Sequence, residues 1–476
     1  MNSVGIIGGG ITGLTAAFRL QQRGVAVTLY EATERVGGVI RSAQRDGYLA
    51  EFGPNTILET SPKIASLVHD LGLDEQRLYS DPRAARRYIV RGGRPLSVPG
   101  SPVAFFTSAL FSASAKLHLL REPFVPPASP DVEESVSELV LRRLGQEFLD
   151  YAINPLVAGI YAGDPARLSV KHAFPKLHAL EQRYGSLIKG QLLGARERKR
   201  RAEVSKQTAP KVSFRGGLQD LIEGLEAKAA GSLRLHTAVR RVARADPGWR
   251  VIATVDGGEV AAGHTAVLFA APTYQLAGLQ VEAGPGLSLA PLADVRYPPV
   301  ASVVLGFRRE DVAHPLDGFG MLIPQVERTS ILGTIFSSSL FPNRAPAGHV
   351  TLTSYVGGTR APELASRPEE ELVARTCEDL RRILGVTGRP TFQHVVVYPK
   401  AIPQYEVGYG RFKDLLTQVE TRAPGLFFAG HYRDGISLGD SIVSAHDVAE
   451  RIAQFLATPP IAPFAARPAA EPPRTR

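Results

Sequence analysis

The chain has one cysteine and one tryptophan in 476 residues. A lone Cys377 excludes an intrachain disulfide and any multi-cysteine metal site, and no metal is expected. That cysteine falls in a pattern over residues 369–384 that predicts an amphipathic helix, with the thiol acting as a small buried hydrophobe. The chain also lacks an uninterrupted apolar run of about 18 residues, so no membrane-crossing helix is predicted. It lacks internal repeats and any nucleic-acid-binding motif. It shows no charged and apolar leader, because its start enters a strand at once; a cytoplasmic protein is the expectation. The net charge of +9 is modest for this length and suits an anionic substrate or an anionic membrane surface. Its one dense basic run, Arg196–Arg201, includes Glu197 and reads as a solvated helix face.

What is present is concentrated near the start. Val4 to Ile7 form an apolar run that enters Gly8-x-Gly10-x-x-Gly13. A helical pattern follows, with Leu14, Ala17 and Phe18 on one face, until Gly24 stops it. Val25, Val27 and Leu29 then alternate into Glu31. This is a strand–turn–helix–strand unit. In such a unit the glycines serve the tight turn, the approach to a pyrophosphate and the packing of helix on strand. The helix N-terminus (Gly10, Ile11, Thr12, Gly13) offers N–H groups to phosphate, and Glu31 is placed to accept from a ribose. No second motif of this kind occurs in a strand-to-helix context. One dinucleotide is therefore expected, with no separate nicotinamide domain.

After Glu31, the segment Glu34–Arg41 keeps the chain beside the nucleotide. Gly37 and Gly38 allow close backbone approach, and Arg35 and Arg41 are candidates to neutralise a pyrophosphate. Near the other end, Leu426–Gly430 reads as a short buried strand that runs through Asp434–Gly439 into a second helix N-terminus. Between the ends, residues 48–52 read as a strand, 53–55 as a turn and 63–71 as a helix. Residues 85–208 are mainly helical in pattern. Residues 300–307, 319–323, 331–336 and 350–356 alternate as antiparallel strands do. Over 103–120, Phe106, Leu110, Ala113, Leu117 and Leu120 fall on one helical stripe. A core helix under a lid and a helix lying in the membrane interface both fit that stripe.

The glycine motif, the closing FAGHYRDGISLGDS and the segments GPNTI, RRYIVRGGRPLSVP, AGIYAGDPARLSVKHAFPKL, GFGMLIP, LGTIFSSSLFPNRAP and IPQYEVGY resemble the FAD-dependent amine oxidase superfamily. Within it they resemble the oxygen-dependent protoporphyrinogen and coproporphyrinogen oxidases, over nearly the whole chain excluding the tail. The resemblance implies an α/β fold with an α+β substrate region. A Rossmann-like FAD-binding domain would take 1–84, 211–290 and 423–457, and a substrate domain with an antiparallel sheet 291–422. A helical, membrane-associated region would span 85–208, and 458–476 would be a disordered tail.

The resemblance also implies non-covalent FAD, held by Gly8, Gly9, Gly10, Ile11, Thr12, Gly13, Glu31, Arg35, Gly37, Gly38, Val39, Arg41, Gly53, Pro54, Asn55, Thr56, Val239, Ile436, Ser437 and Leu438. Ser441 stands where the family frequently has cysteine, which argues against a cysteinyl flavin, and His431 stands where asparagine is common. The implied reaction removes six hydrogens from a porphyrinogen in three flavin cycles, with molecular oxygen or a quinone as acceptor and peroxide as the oxygen product. No obligatory side-chain acid or base follows from that chemistry.

Arg87 matches the family arginine that pairs with a propionate, or is an exposed member of a basic stretch. Phe336 matches an aromatic that stacks on a pyrrole, or is a core residue; Leu322 would line the same pocket. Gly159 would admit the macrocycle closely. Asn55 either faces flavin and macrocycle, as the candidate catalytic residue, or bonds its own turn. Protoporphyrinogen IX is favoured over coproporphyrinogen III by LEQRYGSLI and LFPNRAP. The alternatives are an amine oxidase, a carotenoid desaturase and a non-catalytic prenyl carrier. A peripheral position on the inner face of a membrane and a homodimer remain open.

Overall fold

A computed structural model describes residues 2–129, 131–200 and 209–458, with side chains of 195–200 left aside. The basic run Arg196–Arg201 and the tail therefore lie outside the described side chains or residues.

The nucleotide-binding unit forms as its pattern predicts: strand Ser3–Ile7, helix Ile11–Gln21 and strand Ala26–Tyr30. These strands join a five-stranded parallel sheet in the order Leu233–Arg234, Ala26–Tyr30, Ser3–Ile7, Ala266–Phe269, Leu426–Phe428. Its central strands are runs of apolar residues because both faces are covered. Helices Ile11–Gln21, Gln219–Ala229 and Leu438–Ala457 pack together on one side, so the chain's two ends meet in one core. Arg19 ties them further, its Nε donating to His446 Nε2 at 3.0 Å. Strands Ala238–Arg244, Trp249–Val255 and Gly258–His264 make an antiparallel meander beside this sheet.

The large sheet has seven strands, in the order Phe392–Tyr398, Val300–Arg308, His349–Gly357, Ile331–Ile335, Gly318–Leu322, Arg86–Arg91, Arg94–Ser97. Its pairings are antiparallel except that Gly318–Leu322 runs parallel to Arg86–Arg91. Alternation along each strand divides its residues between two faces. One face buries Tyr88, Val90, Ala301, Val303, Leu305 and Met321 under helix Glu369–Leu384. The other carries Arg87, Leu322, Tyr355 and Tyr398. Cys377 is half-buried on the covering helix, where burial pushes its thiol up.

Two expectations change here. The stretch 85–208 is not helical from its start, because Arg86–Arg91 and Arg94–Ser97 are strands of the large sheet. A pair of strands recruited from 200 residues away leaves no local signature. Residues 103–120 also do not form one helix: Pro102–Thr107 and Ala113–His118 are separate. The Ser112 hydroxyl accepts from Ala115 N at 3.2 Å and so caps a new helix. Residues 108–112 turn between them, and the stripe divides, with Leu110 buried while Phe106, Leu117 and Leu120 are exposed.

The helical region rests on a buried ionic group. Arg143 donates from Nη1 to Glu122 Oε1 at 2.7 Å and from Nε to Glu181 Oε1 at 2.6 Å, with all three residues buried. Glu122 also accepts from Ser186 Oγ, Leu187 N and Ile188 N, which fixes the start of helix Leu187–Arg200. Burial raises the Glu122 carboxyl, but those donors outweigh it and hold the group below the ordinary carboxylate value. A group depressed on folding stabilises above its unfolded value, and that stability is lost as pH falls through the folded value. Thermal melts should therefore show wild type losing stability below about pH 4, with Glu122→Gln less stable at neutral pH and flatter in acid. Arg143→Met should cost about 3–5 kcal/mol, since it takes the guanidinium away from buried Glu122 and leaves Glu181 to Arg142.

Candidate functional site

The first part of the site is the turn between strand Ser3–Ile7 and helix Ile11–Gln21. Gly8 has φ +110° and donates its N–H to Tyr30 O at 2.9 Å. A Cβ on Gly13 would lie 2.0 Å from Gly8 O, so only glycine lets the helix start this close to the strand. At Gly10 a Cβ would meet nothing within 4 Å, so the turn is open there. No side chain caps this helix and no acidic residue stands in its first turn. Its leading N–H groups have no partner within the helix and suit an anion.

Glu31 closes the edge of the turn. Its Oε2 accepts from Gly9 N at 2.8 Å, and its Oε1 from Thr33 N at 2.9 Å and Thr33 Oγ1 at 2.8 Å. That fixes the carboxylate and leaves part of its acceptor capacity for a hydroxyl. Val239 lies nearby, because Thr237 N donates to Glu31 O at 2.8 Å two residues before it. Gly37 N donates to Gly9 O at 2.8 Å, and Gly38 packs over Gly10.

Arg35 departs from expectation. Its guanidinium folds onto its own loop, donating to Gly38 O at 2.6 Å and Val36 O at 2.9 Å, and so shapes the loop. Arg41 lies over the Phe52 ring at 5.2 Å. Val39 is 51% exposed.

The C-terminal segment reaches the same place. Gly430 has φ +126°, and a Cβ there would lie 3.5 Å from Thr12 Oγ1. Ser437 caps helix Leu438–Ala457: its hydroxyl accepts from Asp440 N at 3.1 Å and Asp440 Oδ2 accepts from Ser437 N at 3.2 Å. Ile436, Ser437 and Leu438 thus form a second helix N-terminus. His431 is half-buried, and desolvation pushes its imidazole down to about 4 and keeps it neutral beside Tyr297 Oη at 3.3 Å. The open turn, the uncapped helix end and the exposed Val39 together fit a dinucleotide.

The turn Gly53-Pro54-Asn55, followed by Thr56, lies between this cradle and the large sheet. A Cβ on Gly53 would lie 2.6 Å from Val39 O. Tyr398 Oη donates to the same Val39 oxygen at 3.4 Å. Asn55 is 8% exposed, and its Nδ2 donates to Tyr355 Oη at 2.7 Å. Sequence reading missed both tyrosines. Each stands in an alternating strand, and no local signal says which loop crosses it.

On the large sheet, neighbours in one strand separate by face. Arg86 points outward and pairs with Asp317. Arg87 points to the opposite face and is half-buried, which pulls its guanidinium down. Lys211 stands close enough that burial, and then the Arg87 charge, lower its ammonium. Leu322 is beside this group, aligned with Ile89.

One candidate role is corrected. Phe336 is 0% exposed and packs against Tyr88 and His314 with centroids 6.3 and 5.5 Å away, so it belongs to the covered core and offers no free face for stacking. Gly159 is exposed and lies beside Leu322, since a Cβ there would lie 2.4 Å from Leu322 Cδ2.

The cradle and the facing sheet define a dinucleotide-binding oxidoreductase of mixed α/β fold, with sheets of mixed orientation. The chain belongs to the flavin-containing amine oxidoreductase family, whose profile matches residues 11–453, and within it to the protoporphyrinogen oxidase group. It is 34% identical over 479 residues to protoporphyrinogen oxidase 2, chloroplastic/mitochondrial, of Arabidopsis thaliana, covering 95% of this chain and 94% of that one. It is 29% identical over 456 residues to coproporphyrinogen III oxidase of Bacillus subtilis (strain 168), covering 92% and 95%. A crystal structure of a provisionally named protoporphyrinogen oxidase from Exiguobacterium sp. 255-15 superposes with a TM-score of 0.78 at 26% identity, covering 95% of this chain and 99% of that one. FAD is the cofactor this membership carries.

Gly13→Ala should push helix from strand and destabilise the protein by about 1–3 kcal/mol. The purified variant should elute from a size-exclusion column without the flavin absorbance that wild type retains.

Proposed function

We propose that this protein oxidises protoporphyrinogen IX to protoporphyrin IX with non-covalent FAD and molecular oxygen. The carrying observation is the glycine cradle together with two neighbouring cations, Arg87 on the large sheet and Lys211 on strand Lys211–Phe214. Bound in the cradle, FAD takes two electrons per cycle, so three cycles account for the six hydrogens removed. The protein's part is placement. Glu31 and the two helix N-termini hold the nucleotide, the Gly53–Asn55 turn supports its far end, and the Arg87 fork takes a propionate. Residues 1–84, 211–290 and 423–457 serve the nucleotide. Residues 291–422 serve the substrate, together with the strands Arg86–Arg91 and Arg94–Ser97.

Protoporphyrinogen is preferred to coproporphyrinogen because the relatives named for it reach 34% identity against 29–30% for the coproporphyrinogen enzymes. Incubation with each porphyrinogen under air, followed by porphyrin fluorescence and peroxide, tests this. Faster turnover of protoporphyrinogen is expected. Faster turnover of coproporphyrinogen would move the reading to that substrate, and porphyrin from neither would refute it. Arg87→Ala should raise KM about tenfold to a hundredfold through one lost charged hydrogen bond, with flavin content unchanged. An unaltered KM would remove Arg87 from the site.

A peripheral membrane position is the second element of the proposal. Phe124 is 84% exposed, and Val103, Phe106, Leu117, Leu120, Leu192 and Leu193 are exposed in the same helical region, with Lys189 5.9 Å from the Phe124 ring. Apolar side chains beside lysines suit the interface of an anionic bilayer. Among the described residues no helix is long and apolar enough to cross a membrane. Sedimentation with vesicles containing phosphatidylglycerol should carry the wild type down. The double variant Phe106→Asp, Phe124→Asp should stay in the supernatant.

A further inference from the structure

The Asn55 carboxamide is held in one orientation by the large sheet. Its Nδ2 lies 2.7 Å from Tyr355 Oη and 3.4 Å from Gly53 O. A backbone carbonyl only accepts, so the amide atom turned toward it is the nitrogen. Tyr355 Oη is itself 3.4 Å from Gly53 O and directs its proton there, which leaves a lone pair for Asn55. The phenol cannot wander. It stands on strand His349–Gly357 opposite Ser302 and Gly333, and its ring packs against Ala158, Ala162, Val300 and Leu332. Asn55 Oδ1 is left with no hydrogen bond to the described residues, and it is not closed off from solvent as a buried orphan would be. The turn therefore offers an uncharged acceptor outward, next to the exposed Val39.

We propose that Tyr355 is a positioning residue, fixing Asn55 so that Oδ1 accepts a hydrogen bond from a pyrrole N–H of the porphyrinogen. This rests on the functional reading above. A reduced tetrapyrrole presents pyrrole N–H donors at its centre and carboxylates at its rim. The rim meets Arg87, and the centre needs an acceptor. A carboxamide fills that need without titrating, so it holds the ring in one attitude at every working pH. Tyr355 prevents the amide from flipping and presenting a donor instead.

The test is kcat per bound flavin for wild type, Tyr355→Phe, Asn55→Ala and the double variant, with protoporphyrinogen under air. Each single variant should lose about tenfold, the size of one hydrogen bond. The double variant should lose no more than either, because both remove the same contact. Flavin absorbance and content should match wild type. Full kcat per bound flavin in Asn55→Ala overturns the proposal, even if Tyr355→Phe fails to fold. Additive losses overturn it too. So does a loss of FAD affinity with unchanged kcat per bound flavin, which would assign the acceptor to an N–H of the cofactor. If wild type oxidises no porphyrinogen, the functional reading fails and this inference falls with it. Active wild type with unaffected variants sinks the inference alone.

Discussion

The carbonyl oxygen of Gly8 occupies the place where a side chain on Gly13 would begin. This contact sets how near helix Ile11–Gln21 comes to strand Ser3–Ile7, and much of the molecule is arranged on that distance. With the helix close, its N-terminus faces the edge of the parallel sheet, and Glu31 at the end of the next strand reaches Gly9 N. The same helix receives Leu438–Ala457 and Gln219–Ala229 on its other side, so segments hundreds of residues apart share one core. A helix displaced by one methyl group would move three segments at once, because packed interiors do not absorb such shifts locally.

The large sheet applies a second constraint, that of parity. Successive residues of one strand face opposite sides. Arg86 meets Asp317 outside, Arg87 faces the cradle, and Tyr88 enters the covered core. Tyr355 and Tyr398 are on the cradle side because the residues flanking them, Ser354 and Val356 or Val397, are not. The sheet thus works as a partition. Its covered side supplies stability through Val303, Leu305 and Leu380, and its other side is free to carry charge and hydroxyls.

These two constraints explain which parts of the structure the sequence discloses. The Gly8–Gly13 turn is local, so its strand, helix and acid are legible in order. Ala266–Phe269 and Leu426–Phe428 are legible as short apolar runs, because a parallel strand is covered on both faces. Helix Glu369–Leu384 has the bounds its amphipathic pattern predicts. Non-local pairing is not legible. Nothing in RRYIVRGGRPLS announces a partner at Gly318–Leu322. Resemblance named Phe336 and Gly159 as substrate contacts. Parity sends the first into the core, while the second is exposed beside Leu322. The stripe over 103–120 misleads because periodicity does not register a capping serine, and Ser112 starts a new helix there.

The loops at Val39 and Gly53, and at residues 430–435, are fastened by phenols. Tyr355 holds the turn at Gly53, and Tyr398 holds the loop at Val39. Tyr405 Oη donates to His431 O at 2.5 Å and accepts from Gly435 N at 3.2 Å, Tyr409 Oη donates to Tyr432 O at 2.6 Å, and Tyr432 Oη donates to Phe269 O at 2.7 Å. Burial pushes all of these hydroxyls up, Tyr398 to about 12 and the others further, so each stays protonated and neutral. A carboxylate only accepts, so it could not donate to these carbonyls, and it would leave a charge in a low-dielectric setting. A fixed anion there would favour one charge state of a bound flavin over the other, and a neutral phenol would not. The neutral His431, pushed down to about 4 by burial, follows the same rule at the end of the last strand.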